Sequence, residues 1–170
     1  MFGSKKTKDI IGRAERVSFP ELKVKFVPAK IDTGADLSSI WATAIHEKDG
    51  VLGFKLFGPK SKFYSGERIE IKSPNYLLTR IASSFGHREL RYVVKLQVEL
   101  GGRVIKGSFS LSDRSRKTYP VLIGRKLLNG KFLVDVTKGR PLLALEKQKK
   151  VKLDQDLKIF KKWEKKAWRL

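Results

Sequence analysis

The sequence predicts an all-β fold followed by one C-terminal helix, and three observations support this prediction. Short apolar segments separated by Gly, Pro, Asn and Asp fill residues 17–145. Several of these segments alternate apolar and polar positions, the two-residue period of a strand. A helical period appears only after residue 145. Many short strands with turn signals between them are typical of a β-barrel or a β-sandwich, and the pattern alone leaves both open.

Predicted strands are marked by alternating apolar residues and by the turn residues between them. Asp49-Gly50 and Gly101-Gly102 are hairpin turn signals, since these residues accept positive φ angles. Residues 58–66 are rich in Gly, Pro, Ser and Lys and predict a surface loop. The predicted strands cover residues 22–31, 51–57, 94–100, 103–111, 119–123 and 132–136.

The two ends of the chain differ from the middle. Residues 1–16 are polar and basic without a sustained period, which predicts a flexible basic arm. In residues 146–170, Leu153, Leu157 and Phe160 recur at three- and four-residue steps with lysines opposite, which predicts a basic amphipathic helix. We expect its apolar face to pack on the β domain; a membrane- or RNA-binding arm is the alternative.

Composition narrows the class of protein. The 170 residues contain 38 Lys and Arg against 17 Asp and Glu, a formal net charge of +21, and 41% are hydrophobic, enough for one globular domain. The positive field would attract nucleic acid, an anionic membrane or an acidic protein, or the surface is merely solvated. No cysteine is present, which excludes disulfides and thiolate catalysis. The absence of a long apolar run predicts a cytoplasmic protein without a transmembrane segment.

Asp32 is the clearest candidate for chemistry. It ends an apolar strand and enters the turn Thr33, Gly34, Ala35. Glycine lets backbone N–H groups approach the carboxylate, and the Thr33 hydroxyl could lock the turn. An aspartate of this kind hydrolyses amides only beside a second carboxylate, so the second would come from another copy of the chain. An ordinary turn is the alternative.

A second segment, Pro120 to Leu128, has apolar β residues, then Gly124-Arg125, then an apolar helix start. Together with Ala29 to Asp36 it resembles the paired signatures of the retropepsins, the dimeric aspartic proteases related to retroviral proteases. The resemblance implies a closed β-barrel over residues 17–145 with one short helix after Gly124-Arg125. It also implies that the second signature consists of Leu122, Ile123 and Gly124.

The same resemblance assigns roles to individual residues. Asp32 is similar in position to the catalytic aspartate, and Thr33 to the threonine that meets its counterpart across the dimer. Asp36 and Arg125 correspond to an ion pair near the dimer interface. Such a pair also has a physical rationale, because a partly buried guanidinium needs a carboxylate partner.

Two regions between the signatures are interpreted through the retropepsin pattern. The flap, a hairpin that closes over substrate, would include Ser83, Ser84, Phe85, Gly86 and His87, although a rigid surface turn is equally compatible with these residues. The interval between Asp32 and this flap is long for a retropepsin. We therefore expect residues 43–72 to form an inserted β-ribbon.

The chain resembles one cellular branch of the retropepsin-like proteins more closely, in the residues from Ile81 to Tyr92 and at Leu100-Gly101-Gly102. This branch consists of bacterial and archaeal retropepsin-like proteins labelled ATP-dependent zinc proteases. Some of them are encoded with ATP-grasp glutamate ligases of the ribosomal-modification type. The resemblance covers residues 17–140. The chain departs from the branch at Asp36, where a basic or polar residue is common, and in the residues from Leu37 to Trp41.

The sequence contains no motif for zinc or ATP chemistry. His46-Glu47 is followed by Gly50 where a helical zinc motif needs a second histidine, and no phosphate-binding Gly-x-x-x-x-Gly-Lys string exists. We expect no metal and no cofactor.

The expected activity is that of a homodimeric aspartic endopeptidase acting on a peptide or protein substrate, acidic or ribosomal. Two alternatives remain open. One is a noncatalytic retropepsin-fold module that binds RNA or a ribosomal protein through the basic surface. The other is a hydrolase of oligoglutamate tails, suggested by the glutamate ligases that accompany the resembling family.

Overall fold

The computed structural model describes residues 7–82 and 88–167. Most of these residues lie in strands, with one short and one long α-helix, which confirms the mostly-β prediction and the short helix after Gly124. The strands are β1 (Asp9–Gly12), β2 (Ala14–Phe19), β3 (Val24–Asp32), β4 (Ser38–Lys48), β5 (Val51–Leu56), β6 (Arg68–Lys72), β7 (Tyr76–Ala82), β8 (Arg88–Leu100), β9 (Arg103–Ser112), β10 (Val121–Gly124) and β11 (Phe132–Asp135). The helices are α1 (Arg125–Leu128) and α2 (Leu143–Ala167), and a 3-10 turn covers Pro20–Leu22.

The main sheet is mixed and follows the order β10-β3-β2-β8-β9-β4-β5-β6, with β7 added at β8. Strand β10 pairs in parallel with β3 and antiparallel with β4, so the path from β10 through β9 to β4 returns to β10. Strands β1 and β11 form a separate parallel pair. The closed barrel itself remains a prediction.

Turn chemistry explains both predicted hairpins. Gly101 and Gly102 have φ angles of 56° and 77° and join β8 to β9. Asp49 and Gly50, at 53° and 76°, join β4 to β5. Two consecutive positive φ angles match the right-handed twist of the flanking strands, so the turns explain the pairing next to them, Leu100 with Arg103 and Lys48 with Val51.

Residues 43–72 form an antiparallel extension of the sheet in which β4 pairs with β5 and β5 with β6. Within this extension Leu52, Phe54 and Phe57 are fully buried, and its status as an insertion remains a prediction. They belong to the single hydrophobic core, whose other large buried side chains include Phe19, Ile40, Leu100, Phe109, Leu111 and Ile123.

From Asp9 onward, the N-terminal segment is ordered in strands and differs from the flexible arm predicted for residues 1–16. Strand β1 pairs with β11, more than 120 residues further along the chain, and β2 pairs with β3. Ile11 and Ala14 are buried by these contacts. The segment is too short to show a period of its own, and the strand that orders β1 is distant in sequence, so local pattern did not reveal it.

The predicted packing of the C-terminal helix is wrong for the described residues. Helix α2 begins at Leu143, but its apolar residues lie on the surface, with Leu153 at 67% and Trp163 at 73% exposure. Its first turns are held by Glu146, which accepts hydrogen bonds from Arg13 and Tyr119. A helical period predicts an apolar face but not the surface that covers it. None of the described helices combines the length and the apolar character needed to span a membrane.

Candidate active site

Asp32 stands at the end of β3, directly beside the second signature. The parallel register pairs Ile31 with Ile123 and Asp32 with Gly124. Ile31 and Ile123 are both buried, so the apolar part of each strand fixes the register in which the two signatures pair. Two segments 92 positions apart in sequence are therefore adjacent at the candidate site.

The Asp32 carboxylate is held by the turn that follows it. Its Oδ1 accepts hydrogen bonds from the backbone N–H groups of Gly34 and Ala35, both at 3.1 Å. Hydrogen bonds from neutral amides to a carboxylate are charge-assisted, and they fix the orientation of the side chain. Asp32 is half-buried, whereas Thr33 and Gly34 are exposed.

The Thr33 hydroxyl does not lock this turn. Within residues 7–82 and 88–167 it makes no hydrogen bond, so that part of the expectation is wrong there. The turn is instead closed by the Asp32 side chain and by Ala35, whose carbonyl oxygen accepts from the Arg125 N–H at 2.7 Å.

Gly124 is required by close packing rather than by its backbone angles. A Cβ atom at this position would lie 2.5 Å from the Leu37 carbonyl group and 2.8 Å from the Ala35 carbonyl oxygen. Its N–H also donates to the buried Ser38 Oγ at 3.1 Å. The second signature thus touches the backbone of the first so closely that only glycine fits.

Asp36 and Arg125 form an ion pair between Asp36 Oδ1 and Arg125 Nη2. Below it, the Lys126 N–H donates to the Asp36 carbonyl oxygen at 3.2 Å. The side chains are 54% and 62% exposed, so the guanidinium is not partly buried as expected, and solvent screens the attraction. The ion pair links the turn after Asp32 to the start of α1 at the surface of the single chain.

The flap candidates Ser83, Ser84, Phe85, Gly86 and His87 lie outside the described residues. Their flanking strands are described: β7 and β8 pair antiparallel as far as Ala82 and Arg88.

Arg114 is a partly buried residue that sequence patterns missed. It lies in the polar segment between β9 and β10, and its Nε donates to the Tyr119 carbonyl oxygen at 3.1 Å. Burial lowers the pKa of Arg114 to about 10, and Arg91 acts in the same direction while Asp32 opposes it. Both side chains are thus near enough for their charges to act on Arg114. A polar loop with several basic residues gave no sign of this placement.

The described residues contain no cluster of three or more histidine, aspartate or glutamate side chains placed to hold a metal ion. His46 is exposed on β4. Two small cavities, of about 160 and 60 Å³, are lined by other residues, and Asp32 lines neither.

A family model described as RimB-like, "Retropepsin-like aspartic endopeptidase RimB", matches residues 10–141. The chain belongs to the RimB-like family. The match includes both signatures, and it begins seven residues before the expected start at residue 17, where β1 and β2 are found.

Curated proteins with similar RimB-like segments carry a different name. A "probable alpha-L-glutamate ligase" of Shewanella halifaxensis is 31% identical over 87% of this chain, and one of Shewanella pealeana is 33% identical over 75%. A third, from Desulfotalea psychrophila, is 28% identical over 75%. The chain spans only 32%, 28% and 28% of these three relatives, so most of each relative has no counterpart here.

A crystal structure of a Legionella pneumophila protein of unknown function has a similar fold. The two chains are 26% identical with a TM-score of 0.60, and the match covers 78% of this chain and 97% of the other. Almost the whole of that protein therefore corresponds to part of this chain.

Proposed function

We propose that this chain is an aspartic peptide hydrolase that acts as a homodimer, with one Asp32 contributed by each copy. The observation that carries the proposal is the held carboxylate of Asp32, oriented by two backbone N–H groups beside Gly124 in a RimB-like chain. We place this site in a closed retropepsin-type barrel and the enzyme in the cytoplasm.

The proposed chemistry needs two carboxylates that share one proton. One Asp32 takes a proton from a water molecule while the partner's Asp32 protonates the carbonyl oxygen of the substrate, giving a tetrahedral diol without a covalent intermediate. An extended peptide would lie between this floor and the β7–β8 hairpin. Exposure of Thr33 and Gly34 in the single chain supports a partner at this face.

An oligoglutamate tail is the substrate class that a specific observation favours. Three relatives that contain a similar segment are named probable alpha-L-glutamate ligases, and the net charge of +21 would attract polyanionic peptides. A hydrolase of the product bond beside a ligase would allow tails to be shortened as well as made.

The decisive experiment incubates the chain with a protein bearing an oligoglutamate tail and with a mixed peptide library, and follows cleavage by mass spectrometry. Asp32→Asn should abolish cleavage and leave folding intact, because the amide cannot share the proton. Asp154→Asn, which removes one exposed carboxylate from α2, is the matched control. Full activity of Asp32→Asn would remove Asp32 from the chemistry. Salt-sensitive RNA binding without any cleavage would instead favour the noncatalytic module.

A further inference from the structure

Helix α2 is tied to the β domain at its start and is exposed beyond it. In its first turns, Glu146 accepts hydrogen bonds from Arg13 and Tyr119. Every residue from 147 to 161 is exposed, and the side chain of Trp163 is 73% exposed. Nothing in the described part of the chain buries this length of the helix.

The apolar side chains between residues 153 and 163 share one side of the helix: Leu153, Leu157, Ile159, Phe160 and Trp163. At about 100° per residue, they fall within an arc of about 160°. Between these two positions only Asp156 is a polar residue within the arc. We call the five apolar residues the apolar stripe. Each is more than half exposed, and a continuous apolar surface of this kind is typical of an interaction site.

The remainder of α2 is strongly basic. Residues 143–167 contain nine lysines and four acidic residues, an excess of five positive charges. The same helical geometry places Lys152 beside one border of the apolar stripe, and Lys150 and Lys161 beside the other. A lysine at such a border can bury its methylene stem while its ammonium group stays in a polar environment. The helix therefore combines an apolar stripe with positively charged borders.

This combination decides between three kinds of partner. A second copy of α2 would cover the apolar stripe, but it would bring two helices with the same positive excess side by side. A nucleic acid would neutralise the lysines, but it would leave the apolar stripe in water. An anionic lipid surface suits both features, because apolar side chains enter the acyl boundary while ammonium groups meet the headgroups.

We propose that α2 binds in the plane of an anionic membrane surface, with the apolar stripe in the acyl boundary and its lysines at the lipid headgroups. This interaction is separate from the chemistry proposed for Asp32. Its consequence for the site is positional. Because Glu146 ties α2 to Tyr119, two residues before β10, a bound helix would keep the second signature close to the membrane.

The test measures co-sedimentation of the full chain with phosphatidylcholine vesicles that contain about 30% phosphatidylglycerol, and with vesicles of phosphatidylcholine alone. Binding should be stronger to the anionic vesicles and should weaken as salt is added. Equal binding to both vesicles, or binding to neither, would overturn the proposal.

The apolar stripe is tested with one substitution on each side of the helix. Leu157→Gln should weaken vesicle binding about 10-fold, because an apolar side chain no longer enters the acyl boundary. Val151→Gln removes an exposed apolar side chain from the opposite side of α2 and is the matched control, with little change expected. Equal losses from both substitutions would overturn the role of the apolar stripe.

The lysines are tested with two double variants. Lys150→Gln with Lys161→Gln should weaken binding to the anionic vesicles about 25-fold, at about 5-fold for each charge near the surface. Lys95→Gln with Lys106→Gln removes the same charge from exposed positions on β8 and β9 and is the matched control. Equal losses from the two pairs would assign binding to the general positive field and overturn the role of α2.

Trp163 reports whether the apolar stripe enters the lipid. Brominated acyl chains quench a tryptophan that lies among them, so the fluorescence of the chain should fall on binding to brominated vesicles. Trp163→Phe keeps an aromatic side chain in the stripe and should reduce this fall. Undiminished quenching in Trp163→Phe would place a different part of the chain in the lipid and overturn the proposed orientation.

Two further outcomes would replace the membrane by another partner. Self-association that is lost in Leu157→Gln, measured by light scattering in the absence of vesicle binding, would make a second copy the partner. Binding of a homopolymeric RNA that Leu157→Gln leaves unchanged, again without vesicle binding, would make the lysines a nucleic-acid surface. Since none of these measurements uses cleavage, failure of the hydrolase proposal would leave their result unaffected.

Discussion

The two signature segments meet at Asp32, yet they are held in place by different parts of the molecule. The second segment is complete within one chain: Ile123 is fully buried, and Gly124 fits against the carbonyl groups of Leu37 and Ala35. In the first segment, Thr33 and Gly34 are exposed and few intrachain contacts restrict them. The difference teaches that burial in the single chain explains the strands of both signatures, Ile31 and Ile123 included, but does not explain the exposed Thr33-Gly34 turn.

The two glycines give the sharpest version of this difference. Gly124→Ala should cost about 2–3 kcal/mol in the free energy of unfolding, because its methyl group would push against backbone that cannot move aside. Gly34→Ala should cost less than about 1 kcal/mol, since a Cβ there would meet only the Asp32 carboxylate oxygen, at 3.4 Å. Chemical denaturation of both variants measures the two costs.

Gly34→Ala and Gly124→Ala should rank differently in cleavage activity than in stability. If a partner chain covers the first turn, Gly34→Ala loses cleavage and dimerisation while its monomer remains folded. Gly130→Ala is a useful reference, because Gly130 has a φ of 73° with open space around it and reports backbone strain alone. Equal destabilisation by Gly34→Ala and Gly124→Ala would erase the proposed distinction between the two signatures.

Arg125 joins the two segments at the surface and allows a finer test. Arg125→Ala should lower the stability of the monomer by less than about 1 kcal/mol, since the pair with Asp36 is exposed. It should nevertheless weaken the dimer, which light scattering measured against protein concentration would detect. If Arg125→Ala leaves dimer formation unchanged, the ion pair acts only within the single chain.

The smallest expected effect on stability concerns Glu146, which accepts a hydrogen bond from Tyr119 just before the second signature. The hydrogen bond from Tyr119, followed by that from Arg13, lowers the pKa of Glu146. The stabilisation is therefore present above the ordinary glutamate range and is lost as pH falls through the lowered value. Glu146→Gln should cost about 0.5–1 kcal/mol near neutral pH, and the difference from the unaltered chain should shrink in acid.

Thermal unfolding between pH 3 and pH 7 measures this effect. Asp154→Asn, on the exposed part of α2, should show no comparable change with pH. A Glu146→Gln difference that persisted at pH 3 would point to lost packing rather than lost charge.

Local chemistry explains which parts of the fold were predictable. The turns at Asp49-Gly50 and Gly101-Gly102 depend on neighbouring residues and were predicted correctly, whereas the short helix after Gly124 was expected from the retropepsin resemblance. The pairing of β1 with β11 depends on residues more than 120 positions apart, and no local pattern encodes it. The exposed apolar face of α2 was missed for a related reason, because periodicity does not reveal which surface covers a helix.

The candidate site divides along the same line. Asp32 and its glycine turn could be singled out from local sequence, and the Gly124-Arg125 segment from its resemblance to the second retropepsin signature. The hydrogen bond from Arg114 to the Tyr119 carbonyl oxygen could not be predicted, since it depends on the path of the loop between the two residues. A charge in a polar loop has no sequence feature that separates it from its solvated neighbours.

The position of β10 between β3 and β4 has a consequence for the order in which the molecule assembles. Both partners of β10 are complete by residue 48, but β10 itself begins only at Val121. Pairing across so long an intervening chain is a late event in folding, because loop closure precedes the contacts that reward it. A growing chain therefore carries Asp32 long before Gly124 and Ser38 can lock its surroundings, and synthesis of the last third of the protein sets the time at which the site can exist.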